Sequence, residues 1–170
     1  MITINRIKDF VPGVLNIYAL PIYNVESIIN DIISIKDQNA YYKIQFASNS
    51  MEVVYNPVKT ERGEYYETSI SGFIPGESVA NTKVLNIIRK YRCIVIYQES
   101  DGSFRWAGSR STGFIINMTY NSGNDANPNK GYNIAFEAQL LDHPKPSKPY
   151  LIYLGQQIGL KPGDEASSTE

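Results

Sequence analysis

The chain has one cysteine, one histidine and one tryptophan in 170 residues, and each scarcity removes a class of function. With Cys93 alone no intramolecular disulfide can form, which fits a protein made in a reducing cytoplasm. One Cys and one His cannot make a zinc site, and no Asp-rich loop follows EF-hand spacing. The same pair is all that a Cys–His or Ser–His–Asp system could draw on. His143 sits in the Pro-rich run Asp142–Pro149 and reads as exposed, while Cys93 opens an apolar run and reads as an inert core thiol. Long apolar runs are missing too: Asn, Asp, Lys or Pro breaks every stretch well before the roughly 20 residues that a membrane span needs. The amino terminus Met1-Ile2-Thr3-Ile4-Asn5-Arg6 lacks the charged-then-apolar layout of a secretion signal. A net charge of −1 offers no overall attraction to nucleic acid or anionic lipid. The reading is a protein neither spanning a membrane nor exported by that route.

Other templates are met only in fragments. Glu61, Glu64 and Glu67 are the closest carboxylates, but Glu64 and Glu67 flank a strand pattern and read as solvated edges rather than a glycosidase pair. Gly72-Phe73-Ile74-Pro75-Gly76 leads into a helix without phosphate-loop spacing or the following lysine, so it reads as a helix-initiating turn. Arg105, Trp106 and Arg110, with Arg89 and Lys90, combine cations with an aromatic as a single-strand platform would. In a chain this close to neutral such a set is more ordinarily a solvated face.

What the chain does have is tyrosine, 13 of them, and strand patterning. Tyrosine joins a large apolar face to a polar tip, which suits sheet surfaces and interfaces alike. Val14, Ile17, Tyr18, Leu20 and Ile22 are strand-like around a break at Pro21. Between Asn24 and Lys36 the apolar residues fit helical spacing with Asn24 as N-cap, while the isoleucine density argues for a strand at Ile32–Ile35; the expectation is a short helix running into a strand. Tyr42, Ile44 and Phe46 alternate, as do Met51, Val53 and Tyr55, which predicts a hairpin turning at Ser48–Ser50. Pro57 to Gly63 reads as a polar connection, followed by a strand through Tyr66, Thr68 and Ile70 that Gly72–Gly76 closes. One amphipathic helix is expected from near Ser78 to Tyr91, with Ala80, Val84, Ile87, Ile88 and Tyr91 as its apolar stripe and Arg89 and Lys90 in its last turn. Cys93–Tyr97, apolar on both faces, predicts a central strand with the helix on one side. Asp101-Gly102 turns it into Phe104-Arg105-Trp106. Two further strands run through Phe114–Tyr120 and Tyr132–Leu140, separated by the long polar loop from Asn121 to Lys130. A Pro-stiffened connector, an apolar patch from Tyr150 to Leu154 and a disordered tail over Lys161–Glu170 complete the chain.

The expected fold is therefore mainly β (α+β): an antiparallel β-sandwich or partly closed barrel with one helix packed on a sheet, a long hairpin loop and extended terminal arms. Residues 1–141 read as one β-rich domain, and 142–170 as the connector and carboxy-terminal arm.

The order of elements carries a resemblance. Gly63-Glu64-Tyr65-Tyr66, Ile70-Ser71-Gly72-Phe73-Ile74-Pro75, the helix, Ile94-Val95-Ile96 with Asp101-Gly102, Arg105-Trp106-Ala107-Gly108, the Asn/Gly loop and Gly131-Tyr132-Asn133-Ile134-Ala135-Phe136 follow one another. Across Gly63 to Pro146 this resembles small virion structural proteins of phages and prophages of Bacteroidetes, crAss-like phages included. The resemblance implies a non-enzymatic head-to-tail connector or tail-ring protein without catalytic residues or cofactor, assembled in the host bacterial cytoplasm and resident in the virion. It implies copies of itself in a ring as partners, with portal, tail or neighbouring ring proteins, genomic DNA in a channel, and no membrane. Candidate partner-binding residues are Asn121, Asn124, Asp125, Asn127 and Lys130 of the loop and Tyr150, Ile152 and Tyr153 after the connector. A β-sandwich module that recognises a glycan or host surface protein is the alternative reading.

Overall fold

A computed structural model describes residues 14–47, 50–99, 101–123, 130–147, 149–153 and 155–158. The amino-terminal 13 residues, most of the 121–130 loop and the expected tail over 161–170 lie outside them. The fold is mainly β, with a single α-helix among the described residues and three sheets of four strands each.

The middle sheet sets the architecture. Its order is β4 (Tyr42–Ile44), β1 (Val14–Pro21), β7 (Cys93–Glu99), β8 (Phe104–Ala107), all antiparallel. Side chains alternate across a strand, and here both faces are covered. Ile17 and Ala19 of β1 with Cys93, Val95 and Tyr97 of β7 enter one core cluster; Tyr18 and Leu20 with Ile94 and Ile96 enter another. That double burial is why Cys93–Tyr97 has no polar face.

The second sheet closes the first cluster. Its order is β5 (Glu52–Thr60), β6 (Gly63–Pro75), β10 (Gly131–Leu140), β9 (Ile115–Asn121). Ile70, Ile116, Ile134 and Phe136 meet the middle sheet there, together with Leu85 and Ile88 of the helix α1 (Val79–Ile88). Ser78 caps α1, its hydroxyl oxygen accepting from the Asn81 N–H at 3.1 Å. Of the expected stripe, Ile88 is buried and Val84 packs against the cluster, whereas Ile87, Tyr91 and Ala80 face solvent and Leu85 takes their place.

The third sheet closes the other cluster: β12 (Gln156–Ile158), β11 (Tyr150–Tyr153), β3 (Ile32–Ile35), β2 (Val25–Ile29). Val25, Ile33, Ile35 and Leu151 pack on Tyr18, Leu20, Ile94, Ile96 and Trp106. The molecule is thus a β-sandwich with one further sheet on its outer side. Residues 150–158, which the sequence assigns to a connector and arm, supply two of its strands, and β11 runs parallel to β3.

Three local expectations are corrected. The segment 24–36 follows a 3-10 turn (Ile22–Asn24) and forms the β2–β3 hairpin, not a helix. Asn30, at φ 55°, takes the left-handed turn position that asparagine tolerates, and period-2 burial of Ile33 and Ile35 outweighs the 3.6 spacing. Asn24 is not an N-cap: buried, it donates from Nδ2 to the carbonyls of Asp37 (2.9 Å) and Ala40 (3.2 Å) and accepts the Asp37 N–H at 2.8 Å. The hairpin expected at Ser48–Ser50 does not exist, because β4 pairs with β1 and β5 with β6, in different sheets. Phe46 lies beyond β4 against Gly72, the one strand position where any Cβ would collide with its ring. The polar connection from Pro57 to Gly63 is instead strand on both sides of a two-residue turn, Glu61-Arg62.

Candidate interaction surfaces

The catalytic candidates are separated by the fold. Cys93 is fully buried between the middle and second sheets, and burial pushes its thiol up to about 12. His143 lies on the surface, edge-on to Tyr55 at 4.4 Å and Tyr66 at 5.7 Å between centroids, with Nδ1 3.0 Å from the Pro144 carbonyl. Among the described residues no three His, Cys, Asp or Glu side chains gather as a metal site, and no described helix is long and apolar enough to cross a membrane.

The basic–aromatic set of the sequence is also dispersed. Trp106 is buried, its indole N–H donating to Ser147 Oγ at 3.3 Å and its ring face under Lys145 Nζ at 4.6 Å. Arg105 points to the other side and pairs with Glu99 at 2.9 Å, while Arg110 donates to the Glu26 carbonyl at 2.9 Å. Lys145 makes a two-way backbone bridge to Trp106, so the connector covers the free edge of β8.

The outer face of the third sheet exposes a row of large apolar side chains. The register sets Ile29 of β2 opposite Ile32 of β3, and Ile32 opposite Tyr150 of β11, in one cross-strand row. These residues are 65, 40 and 51% exposed, and half-buried Ile152 stands beside them, opposite Ser34. A contiguous apolar row on the outermost layer, with no described element over it, is a candidate contact surface. The sequence pointed to Tyr150 and Ile152 but missed Ile29 and Ile32, which the helical reading placed elsewhere. The signal was there: Asn30-Asp31 between two Ile pairs is a two-residue turn that forces Ile29 and Ile32 onto one face. Tyr153 does not share the surface; it is partly buried and packs with Leu151 on the inner cluster.

The second sheet offers its two ends. β5 and β6 continue three residue pairs beyond Tyr66↔Leu140, where β10 stops, so the tip around Glu61-Arg62 projects without a third strand. At the opposite end, β9 and β10 stop at Asn121↔Gly131, the base of the polar loop. Lys130 is anchored there, its carbonyl accepting the Gly76 N–H at 2.8 Å and its Nζ 3.9 Å from Glu77. Tyr120 donates its hydroxyl to the same Glu77 at 2.9 Å, and Tyr132 joins Thr82 at 2.7 Å. Asn121 closes a local turn, its Oδ1 accepting the Gly123 N–H at 2.9 Å. Asn124, Asp125 and Asn127 lie outside the described residues. Across the outer face between these ends runs an open groove of about 770 Å³, lined by Asn56, Glu67, Ser69, Glu137 and Gln139 with Arg92 at one side.

No protein-family model matches this chain, and no curated protein and no solved structure matches it either.

Proposed function

We propose that this protein is a non-enzymatic assembly component, a ring-forming element of the head-to-tail connector or tail of a bacteriophage virion. The observation that carries the assembly reading is the row Ile29–Ile32–Tyr150 with Ile152, an apolar strip on an outer sheet face. Fully burying a side chain of this size is worth about 1.5–3 kcal/mol, and these residues are already partly covered. The strip therefore supplies several kcal/mol, less than the cost of association for an isolated pair of subunits. Such a contact is weak alone and strong when a closed ring repeats it. The two unlike ends of the second sheet suit the same geometry, because a head-to-tail contact joins different patches of successive subunits and closes into rings. The phage setting rests on the resemblance across Gly63 to Pro146.

Size-exclusion chromatography with light scattering over a concentration series, with negative-stain images of each peak, tests the proposal. Closed rings of fixed copy number are the expected result, and Ile29→Asp with Ile32→Asp should return them to monomers at unchanged thermal stability. Monomers at every concentration would remove the self-assembling ring.

A second reading, a binding module for a glycan or host surface protein, is favoured by the groove on the second sheet. Its amides, hydroxyl and carboxylates can both donate to and accept from a polyhydroxylated ligand. It predicts a monomer whose affinity for a neutral oligosaccharide falls on Gln139→Ala and is indifferent to Ile29→Asp.

A further inference from the structure

The exit of α1 and the 3-10 turn form a basic aromatic ledge that the sequence did not assemble. Arg89, Lys90, Tyr91 and Arg92 follow one another, and all four are exposed. The backbone under them is fixed: the N–H groups of Arg89, Lys90 and Tyr91 bond back to the last turn of α1. The Arg92 carbonyl accepts the Ile22 N–H at 2.9 Å, which locks the 3-10 turn beside the helix exit. Tyr23, on that turn, lies 4.6 Å from Tyr91 between ring centroids at 57°, and the two rings are 48 and 41% exposed. Among the described residues none of the three cations has a carboxylate partner; Arg92 uses Nη1 on the Gly113 carbonyl at 3.3 Å. Asp37 also bears on Tyr23, which leaves the ledge with a net positive charge.

From this geometry we infer that the ledge binds single-stranded nucleic acid, the cations holding successive phosphates and the two tyrosines offering ring faces to unstacked bases. The aromatic pair is what favours nucleic acid. Two half-exposed phenol rings held at a fixed angle give an unstacked base a face to stack on, and a ligand that used only the charges would not register their removal. The inference does not depend on the virion proposal and concerns different residues.

The test is fluorescence anisotropy of a labelled oligo-thymidylate titrated with the full chain. Non-specific binding at micromolar concentration is expected, with a log–log salt slope near −2 for three phosphates, so that affinity falls about 20-fold between 50 and 200 mM salt. Tyr91→Ala should weaken binding by about 10-fold with the salt slope kept. The triple variant Arg89→Gln, Lys90→Gln, Arg92→Gln should abolish both binding and slope; all three side chains are exposed, and a thermal melt confirms that the fold survives. No binding at low salt, or binding that ignores the triple variant, overturns the inference. Binding that is lost in the triple variant but unmoved by Tyr91→Ala, and matched by poly-glutamate or by vesicles of anionic lipid, overturns the nucleic-acid assignment in favour of a plain anion surface.

Discussion

At the scale of single residues, the buried hydroxyls and thiol of the first core cluster are the most informative groups. The Tyr97 hydroxyl and Thr68 Oγ1 are buried without a hydrogen-bond partner among the described residues. A buried polar atom left unmatched costs about 1–3 kcal/mol, so Tyr97→Phe should stabilise the protein by about 1 kcal/mol in a urea titration. A loss of stability instead would reveal a partner for that hydroxyl. Cys93 should resist thiol reagents until the protein unfolds, since burial holds it protonated. The same burial shapes stability at high pH. Burial pushes both Cys93 and the Tyr97 phenol up, so the folded state binds their protons more tightly than the unfolded chain. Their contribution to stability is then level below the ordinary thiol value of 9.0 and is lost as pH climbs from there towards about 12. The thiol alone accounts for about 4 kcal/mol of that loss. Cys93→Ala should flatten the early part of the decline, as measured by urea midpoints at about pH 8 and pH 11.

At the scale of elements, Asn24 holds the passage from the middle sheet to the third. It satisfies three backbone groups of the 37–40 turn at once. Asn24→Ala leaves the Asp37 N–H and the Ala40 carbonyl without their partner, the Asp37 carbonyl keeping only the Ala40 N–H at 3.3 Å, and should cost about 2–4 kcal/mol, read from thermal or urea unfolding. Nothing in the local pattern announces this role, because asparagine before an apolar run is also an ordinary helix N-cap. The elements that were legible are those whose signal is local: α1 behind its Ser78 cap, β7 with no polar face, the Asp101-Gly102 turn, and the alternation of β9 and β10. The misread hairpin at Ser48–Ser50 shows the limit. Alternation in Tyr42–Phe46 and Met51–Tyr55 reports that each strand has a buried face, but it carries no record of which strand lies alongside. Ile29 and Ile32 were lost for a related reason, since six isoleucine and valine residues in the eleven positions from Val25 to Ile35 satisfy both periods.

At the scale of the molecule, a sheet buried on both faces between two outer sheets predicts a gradient of local stability. Amides of Ile17–Leu20 and Ile94–Tyr97 should exchange with deuterium last, near the rate set by global unfolding. Those of the projecting hairpin, Asn56 to Tyr65, should exchange first. Equal protection of hairpin and middle sheet would mean that the tip is held by contacts the isolated chain lacks. The candidate surfaces are legible at this scale only. A strip such as Ile29–Ile32–Tyr150 is written in three distant stretches of sequence and exists once the register has joined them.

The parallel pairing of β3 with β11 has a consequence for the way the protein is made. Ile33 meets Leu151, more than a hundred positions further along the chain. At ordinary rates of synthesis that separation lasts on the order of ten seconds. Through that interval β3 has only β2 beside it, in a two-stranded hairpin of marginal stability. The ribosome would thus release a sandwich whose third layer is still incomplete, with Ile33, Ile35 and the Trp106 side of the middle sheet wet until the last strands emerge. Nascent chains stalled ahead of Tyr150 should bind a hydrophobic dye strongly, and chains carried past Ile158 should bind it weakly.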